Sequence, residues 1–502
     1  MIKVALIGCG RIADLHFEAY ETINGAEVAA LCDSDPELLE KRSKEWKVKR
    51  LHSDYRELFE DDEIDAVEIL TPHHLHEEMA IAALESGRHV ALQKPMTPDL
   101  KSADRVLAAA RKSNAHFRVT DNYLFYPPLV KAKEMIDKGV IGEPMNMRIR
   151  LTAGAMGGWE IPPSAWQWRL AEAREGRGIE TFDHGHHMWS AARYLLGPFE
   201  KVTAMIDSHD GITDCPSVIA WKCREGIRYG SCDLSFSPDL SIPTRYYSCD
   251  EWFEVVGTRG ILIVPRGSGL LFETLHPLLH FDGTRWHEYG DIPADWSEGF
   301  NGAARNFIDG IEGREPLLWS GEEAREVLAF SLALFRSSTL QRTVYLDELD
   351  SFFPGFTAWR LRRKERSSGF LAREKRGILE RLGLVPDDSR YAPAAMSLTE
   401  EKIEELESVE LAAGEDFQAV LEITPEGNVS GEGFLIEATG GKIRVHRGDA
   451  GAGVESRIRV PAGTWGAILS GKRRIETAYI QGKLKIEGPV DRVLRLKDIL
   501  KL

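Results

Sequence analysis

The segment TFDHGHHMW, residues 181–189, places Asp183, His184, His186 and His187 close together. Residues four apart share a helical face, so on a helix Asp183 and His187 reach the same bound molecule. Histidine titrates near neutrality, which suits it to taking a proton from a hydroxyl. Asp183, His184 and His187 on one face would also form part of a metal site. Zinc asks for a fuller donor set, however, and no separate carboxylate or cysteine is obviously supplied here. An ordinary helix start carries such residues too. A second cluster, HHLHEE at 73–78, also looks metal-binding but lacks a convincing fourth ligand. Its His73 and His74 either line a site or face solvent. No resident metal is expected at either place.

The N-terminus carries a different chemistry. KVALIGCGRIADLHFEAY reads as strand, tight turn and helix. Gly8 permits the turn, Gly10 lets the backbone approach a pyrophosphate, and Ala13 permits close helix–strand packing. The helix start then offers amide donors and a favourable dipole to phosphate. A second apolar strand, AEVAALCD, ends at Asp33, where a carboxylate can accept both ribose hydroxyls and repel a 2′-phosphate. Ser34, Asp35 and Pro36 follow, with no arginine to hold that phosphate. NAD is therefore expected as cofactor, and NADP disfavoured.

These groups need a scaffold. Strand-like and helix-like stretches keep alternating: DAVEILTP, HLHEEMAIAALESG, HVALQKP, DLKSADRVLAAARKSN and the apparent strand HFRVTDNYLF. That pattern predicts a parallel sheet. The chain has 502 residues, 43% hydrophobic and 28% charged, enough for several domains with a large core. A net charge of −16 argues against nucleic-acid or anionic-membrane partners. No apolar run is long enough to cross a bilayer. MIKVALIGCG runs straight into the glycine motif and reads as a first strand, not a leader. The six cysteines are scattered without a Cys-x-x-Cys pair, so a reducing cytoplasm is expected.

Taken together, GCGRIA, DYRELF, EILTPHHLHEEMAIAALESGRHVALQKP, IGEP, WRL, DHGHH, EVVGTRG and ARNFIDGI resemble the glucose–fructose oxidoreductase, inositol dehydrogenase and rhizopine-catabolism family (Gfo/Idh/MocA) over about 1–350. The resemblance implies an α/β Rossmann domain (1–122) and an α+β domain with a large, mostly antiparallel sheet (123–350). It implies a homo-oligomer, dimer or tetramer, and hydride transfer between NAD(P) and a ring hydroxyl of a sugar or cyclitol. By position it assigns Gly8, Gly10, Arg11, Ile12, Asp33, Thr71, Pro72, His76, Gln93 and Lys94 to the cofactor. Lys94, Asp183 and His187 become the catalytic group: His187 as base or acid, Asp183 orienting it or binding a neighbouring hydroxyl, and Lys94 on the reacting oxygen. Tyr123, Trp166, Trp168, Arg169 and His184 become substrate contacts, Tyr123 as a second proton donor. One departure stands out. The family's glutamate before the lysine is Gln93 here, and losing that carboxylate is expected to favour a neutral Lys94.

After TVYLDELDSF the chain turns basic over 351–400, which reads as a helical linker. Beyond it, alternating strands are followed by LSGK and AYIQGKLKIEGPVDRVLRLKDIL. These resemble an α+β sterol carrier protein-like domain over about 408–502, placed within a 401–502 unit. That resemblance implies a five-stranded sheet packed on helices, with an apolar tunnel for a lipid. Three functions follow as expectations. The chain is an NAD-dependent dehydrogenase of a sugar, cyclitol or glycoside; or a redox-assisted glycoside-cleaving enzyme that retains NAD; or a lipid-binding scaffold with a vestigial dehydrogenase.

Overall fold

Six strands alternate with helices over residues 2–120: β1 (Ile2–Ile7), β2 (Ala26–Cys32), β3 (Arg50–His52), β4 (Ala66–Ile69), β5 (His89–Gln93) and β6 (Phe117–Thr120). They form one parallel sheet in the order β3-β2-β1-β4-β5-β6. Helices cover both faces, so β1, β4 and β5 are nearly all apolar. The helices are α1 (Ala13–Glu21), α2 (Pro36–Trp46), α3 (Tyr55–Leu58), α4 (His76–Glu85) and α5 (Leu100–Lys112). Asp35, Asp54 and Asp99 start α2, α3 and α5 by accepting amide hydrogens of the first turn. Strand order reverses between β1 and β4, and the crevice beyond their carboxyl ends is the usual ligand position in such sheets.

The structure, a computed structural model, describes residues 1–351 throughout. Beyond them it describes 354–355, 357–358, 360–362, 392, 395, 399–403, 417–424, 432–439, 442–448, 456–472, 475, 478 and 484–487. The chain divides into two compact units, 1–362 and 363–502.

The rest of the first unit is built on a nine-stranded sheet. In chain order come α6 (Pro127–Asp137), β7 (Pro144–Met156), α7 (Pro163–Arg174), α8 (His186–Leu196), β8 (Phe199–Ile206), β9 (Ser217–Cys223), β10 (Tyr229–Ser241), β11 (Cys249–Gly257), β12 (Ile261–Val264), β13 (Leu278–Phe281), β14 (Trp286–Tyr289), α9 (Ser297–Ile311), α10 (Gly321–Leu340) and β15 (Val344–Tyr345). The sheet runs β14-β13-β12-β11-β7-β10-β9-β8-β15. Only β7 and β10 pair in parallel. Alternation along β9 buries Ile219 and Trp221 and exposes Val218 and Ala220. Trp189 of α8 and Phe330 of α10 meet Trp221 and Phe199 on the buried face, with Phe330 stacked 3.9 Å from Phe199. All six cysteines are free and buried. No helix among the described residues is long and apolar enough to span a membrane.

Two local departures from the sequence expectation matter for the site. The stretch HFRVTDNYLF is not one strand. It stops at Thr120, where the Asp121 side chain accepts from the Tyr123 amide and starts a 3₁₀ turn over Asn122–Phe125. The second departure precedes α8, where Ile179–His184 form a π-helical turn.

The second unit holds β16 (Phe417–Thr424), β17 (Glu432–Thr439), β18 (Lys442–Arg447), β19 (Ser456–Pro461), α11 (Ala462–Leu469) and β20 (Lys485–Glu487). Its five-stranded sheet runs β18-β17-β16-β19-β20, with β16 and β19 parallel. Leu421, Ile423, Phe434, Ile436, Ile458, Val460, Trp465 and Ile468 form its core. The Trp465 indole N–H donates to Thr399 Oγ1 at 2.9 Å. Most of the basic 351–400 stretch and of AYIQGKLKIEGPVDRVLRLKDIL lies outside the described residues.

Candidate active site

The glycine turn after β1 opens onto a groove of about 680 Å³ lined by Gly8, Gly10, Arg11, Ile12, Asp33, Thr71, Pro72 and His74. Gly8 has φ +96°, and a Cβ there would lie 2.9 Å from the Leu70 carbonyl carbon, so the position needs glycine. A Cβ at Gly10 meets nothing within 4 Å, so that glycine leaves open space beside the helix start. Among the described residues, no protein acceptor engages the amides of Gly10, Arg11 and Ile12 ahead of α1. Asp33 is held rigidly: its Oδ2 accepts from Cys9 N at 2.7 Å and its Oδ1 from Asp35 N at 2.9 Å. Arg42 pins the turn from behind, donating to Cys9 O at 3.2 Å and pairing with Asp14. Turn, open amides and an ordered carboxylate fit a dinucleotide carrying a free ribose diol.

A cavity of about 400 Å³ adjoins this groove and shares Ile12, Leu70, Thr71, Trp159, Trp168 and Arg169 with its lining. Lys94, Asn122, Trp166, Glu180, Asp183, His184 and His187 line it further. Lys94, just after β5, places Nζ 2.8 Å from Asp183 Oδ1 and donates to the Asp183 carbonyl at 2.7 Å. Arg169 Nε donates to Asp183 Oδ2 at 2.8 Å, while its guanidinium lies 4.3 Å over the Trp168 ring. His73 lies between two carboxylates, 2.8 Å from Glu172 and 3.6 Å from Asp183. Burial opposes charge on His73, but these carboxylates outweigh it and raise its pKa. Burial likewise opposes ionisation of Asp183, yet Lys94, Arg169 and His73 hold it well below the carboxylate range.

The π turn accounts for this placement. Gly185 N donates to Glu180 O across five residues, at 2.5 Å. A Cβ on Gly185 would sit 2.8 Å from Thr181 O, so only glycine allows the closure. Asp183 then faces Lys94, while His187, one turn on in α8, faces Asp121. His187 Nδ1 lies 2.8 Å from Asp121 Oδ1, and its ring stacks on Tyr123 at 4.7 Å. Burial lowers the His187 pKa, Asp121 pulls it back up, and Lys94 pushes it down, leaving it below the ordinary value. At neutral pH the ring is uncharged. With Nδ1 tied to Asp121, Nε2 is the nitrogen left for a ligand.

Family models match two consecutive stretches of the first unit. The oxidoreductase family with NAD-binding Rossmann fold matches residues 2–121, and the GFO/IDH/MocA C-terminal domain matches 129–263. A third, the SCP-2 sterol transfer family, matches 401–501. An uncharacterised oxidoreductase of Bacillus subtilis is 31% identical over 265 residues, covering 52% of this chain and 72% of that one. The chain belongs to the GFO/IDH/MocA oxidoreductase family. It carries an SCP-2 sterol transfer domain at its C-terminal end. Myo-inositol 2-dehydrogenase of Thermotoga maritima is 26% identical over 356 residues, spanning 69% of this chain and 99% of that protein. A solved levoglucosan dehydrogenase in complex with NADH and levoglucosan shares the fold, with TM-score 0.59 and 23% identity over 69% of this chain and 99% of that one.

Within this family member, several residues sit elsewhere than the sequence suggests. Tyr123 is fully buried and does not line the cavity; its hydroxyl donates to Glu251 Oε1 at 2.7 Å. The Asp121 cap turns the chain so that Asn122 faces the cavity instead. His76 is also fully buried, away from the groove, with ring nitrogens 2.9 Å from Thr71 O and 3.0 Å from Pro95 O. Burial, helped by His73, lowers its pKa to about 3, so the neutral ring donates to one of these carbonyls and braces the loops that carry Thr71 and Lys94. Asp183 does not orient His187; Asp121 does. Gln93 turns its Oε1 to the Lys94 amide and its Nε2 to His16, and the Lys94 ammonium pairs with Asp183. His186 is buried beside Ser331 of α10, away from the cavity. Asp183, His184 and His187 therefore part to three different partners and do not share a metal-binding face. The sequence reading missed Asp121, Glu172, Glu180 and Glu251. Only Asp121 left a signal, as a capping residue directly after a strand.

Proposed function

We propose that this chain is an NAD-dependent dehydrogenase of a ring hydroxyl on a sugar, cyclitol or glycoside, with Lys94, Asp183 and His187 as its catalytic group. The observation that carries the reading is an oriented His187, its pKa lowered by burial, and a Lys94 paired with Asp183, both lining one cavity that adjoins the nucleotide groove. Nicotinamide, when bound, accepts the hydride. His187 Nε2 takes the hydroxyl proton, and Asp121 stabilises the imidazolium that results. The Lys94 ammonium hydrogen-bonds the same oxygen and supports its developing negative charge. Asp183, held by Lys94, Arg169 and His73, keeps that ammonium aimed. Trp166, Trp168, Arg169 and His184 bound the space for the ring. NAD over NADP rests on Asp33.

A second reading has one observation in its favour. Glu180 lines the same cavity, and among the described residues no hydrogen bond or ion pair engages its carboxyl. Burial lifts its pKa to about 7. A second acid–base group is what transient oxidation followed by elimination would use, with NAD retained. The SCP-2 domain supports binding of a fatty-acyl or sterol-like ligand, and displacement of a fluorescent fatty acid tests that separately. The deciding experiment titrates the full chain with NAD and NADP, then screens sugars, cyclitols and glycosides. Steady NADH release supports the dehydrogenase. Substrate loss without NADH supports redox-assisted cleavage. Absence of nucleotide binding overturns both.

A further inference from the structure

His184, Cys249 and Glu251 meet at the wall of the cavity, His184 and Cys249 lining it. Cys249 and Glu251 stand two apart on β11, so both project from the same face of that strand. His184 Nε2 lies 3.1 Å from Glu251 Oε1, Cys249 Sγ lies 3.4 Å from the same oxygen, and the three donor atoms fall within 4.8 Å of one another. Zinc bound tetrahedrally by imidazole, thiolate and carboxylate sets its ligand atoms about 3.4–3.6 Å apart. Two edges of that figure are already in place to within a few tenths of an ångström. Rotation of His184, the one of the three that is only half-buried, adjusts the third.

The surroundings are those of a ligand shell. Glu251 is 0% exposed. Tyr123 O–H donates to its Oε1 at 2.7 Å and Ser268 N to its Oε2 at 2.8 Å, fixing the carboxylate plane. Ser268 Oγ also lies 3.3 Å from Cys249 Sγ. Among the described residues, no lysine or arginine forms an ion pair with Glu251. The basic neighbour of Glu251 is the His184 imidazole at 3.1 Å, so a metal ion would take the place between them that a shared proton otherwise holds. His184 and Cys249 both line the cavity, so the fourth corner of the tetrahedron opens into it.

We infer that His184, Cys249 and Glu251 form a binding site for a divalent cation of the zinc class, its fourth position facing the substrate cavity. A thiol and an imidazole select zinc-like ions over magnesium or calcium. Binding replaces the Cys249 S–H proton, which leaves to solvent, and the thiolate and carboxylate together balance the two positive charges. The dehydrogenase reading adds one step, which rests on it: the open corner takes a hydroxyl or carboxylate oxygen of the bound substrate.

The test uses the full chain without nucleotide or substrate, so its outcome is separate from that of the dehydrogenase reading. Protein stripped with chelator is titrated with Co²⁺, and protein purified without chelator is assayed for zinc. The expected result is about one zinc per chain, together with an intense near-ultraviolet thiolate-to-cobalt band and tetrahedral visible bands. Cys249→Ser removes the ultraviolet band, and His184→Gln weakens Co²⁺ binding about tenfold or more. Folded wild-type protein that gives no thiolate band overturns the proposal without recourse to any variant. So does a band that survives Cys249→Ser, or an affinity that His184→Gln leaves unchanged.

Discussion

The nucleotide groove and the substrate cavity share a wall but are built on opposite plans. The groove takes its turn, open amides and ordering carboxylate from residues 8–33, almost one continuous stretch. The cavity draws on residues near 73, 94, 121, 169, 183 and 251, brought together from both sheets of the first unit. The groove has charged residues along it, among them Arg11, Asp33, Asp54 and Arg56, but its phosphate end is shaped by the backbone of the glycine turn. The cavity is a chain of buried ionisable groups, each held by the next: Glu172, His73, Asp183 and Lys94 on one side, and Asp121 with His187 on the other. A change in the groove is expected to stay local to the contact it removes, whereas a linked charge network transmits any change to its neighbours.

Substitutions can break this contrast or sharpen it. The largest effect is expected from His187→Ala: kcat falls about 10²- to 10⁴-fold while NAD affinity, read by fluorescence titration, stays put. Equal loss of both would mean that groove and cavity are not separable. Asp121→Asn comes next, with kcat lowered about 10- to 100-fold, the range seen when the partner of a functional histidine is removed. It also carries a sign. His187 must be neutral to act as a base, and its pKa lies below the usual 6.5, so oxidation fails only as pH drops through that lowered value. Asp121 raises the histidine pKa, so Asp121→Asn moves the acid limb of kcat/KM to still lower pH; an upward move would show that Asp121 is not the controlling charge.

Asp33→Ala acts on the other side of the contrast. Losing charge-assisted hydrogen bonds of about 1.5–3 kcal/mol weakens NAD about 10- to 100-fold and narrows the gap to NADP, with kcat at saturating nucleotide little changed. Gly8→Ala probes backbone shape alone. Its positive φ and the nearby Leu70 carbonyl predict a loss of about 1–3 kcal/mol, visible as a lower Tm. The smallest effect is expected where the regions touch. The Arg11 guanidinium lies 4.5 Å over the Trp159 ring, tying the glycine turn to the loop between β7 and α7 that lines the cavity. Arg11→Ala removes about 0.5–1 kcal/mol and raises substrate KM a few-fold.

The same contrast explains what could be read in advance. The parallel sheet, the glycine turn and Asp33 follow from local periodicity and spacing, and the structure has them. Lys94, Asp183 and His187 were reachable through family resemblance, and all three line the cavity. What Asp183 and His187 each hold was not legible, because Glu172, Asp121 and Glu251 contact them or their neighbours across long stretches of chain. Spacing of four suggested a pair on one helical face. The π turn, held from outside by Asp214, and the local Asp121 cap gave each residue its own partner. Tyr123 failed for a related reason: the strand read through Phe125 stops at Thr120, and the 3₁₀ turn that follows buries Tyr123 and leaves Asn122 lining the cavity.

The π turn has a further consequence, for ancestry and engineering. A turn of this kind is a helix with one residue added, so a single codon separates it from an ordinary helical turn. Removing one residue from between Glu180 and Gly185 would close the turn more tightly and reset which side chains face Lys94, at the cost of the contacts that tie it to Asp214 and Trp189. A scaffold that already bound its ligands could acquire, or shed, its reactive geometry in that one step.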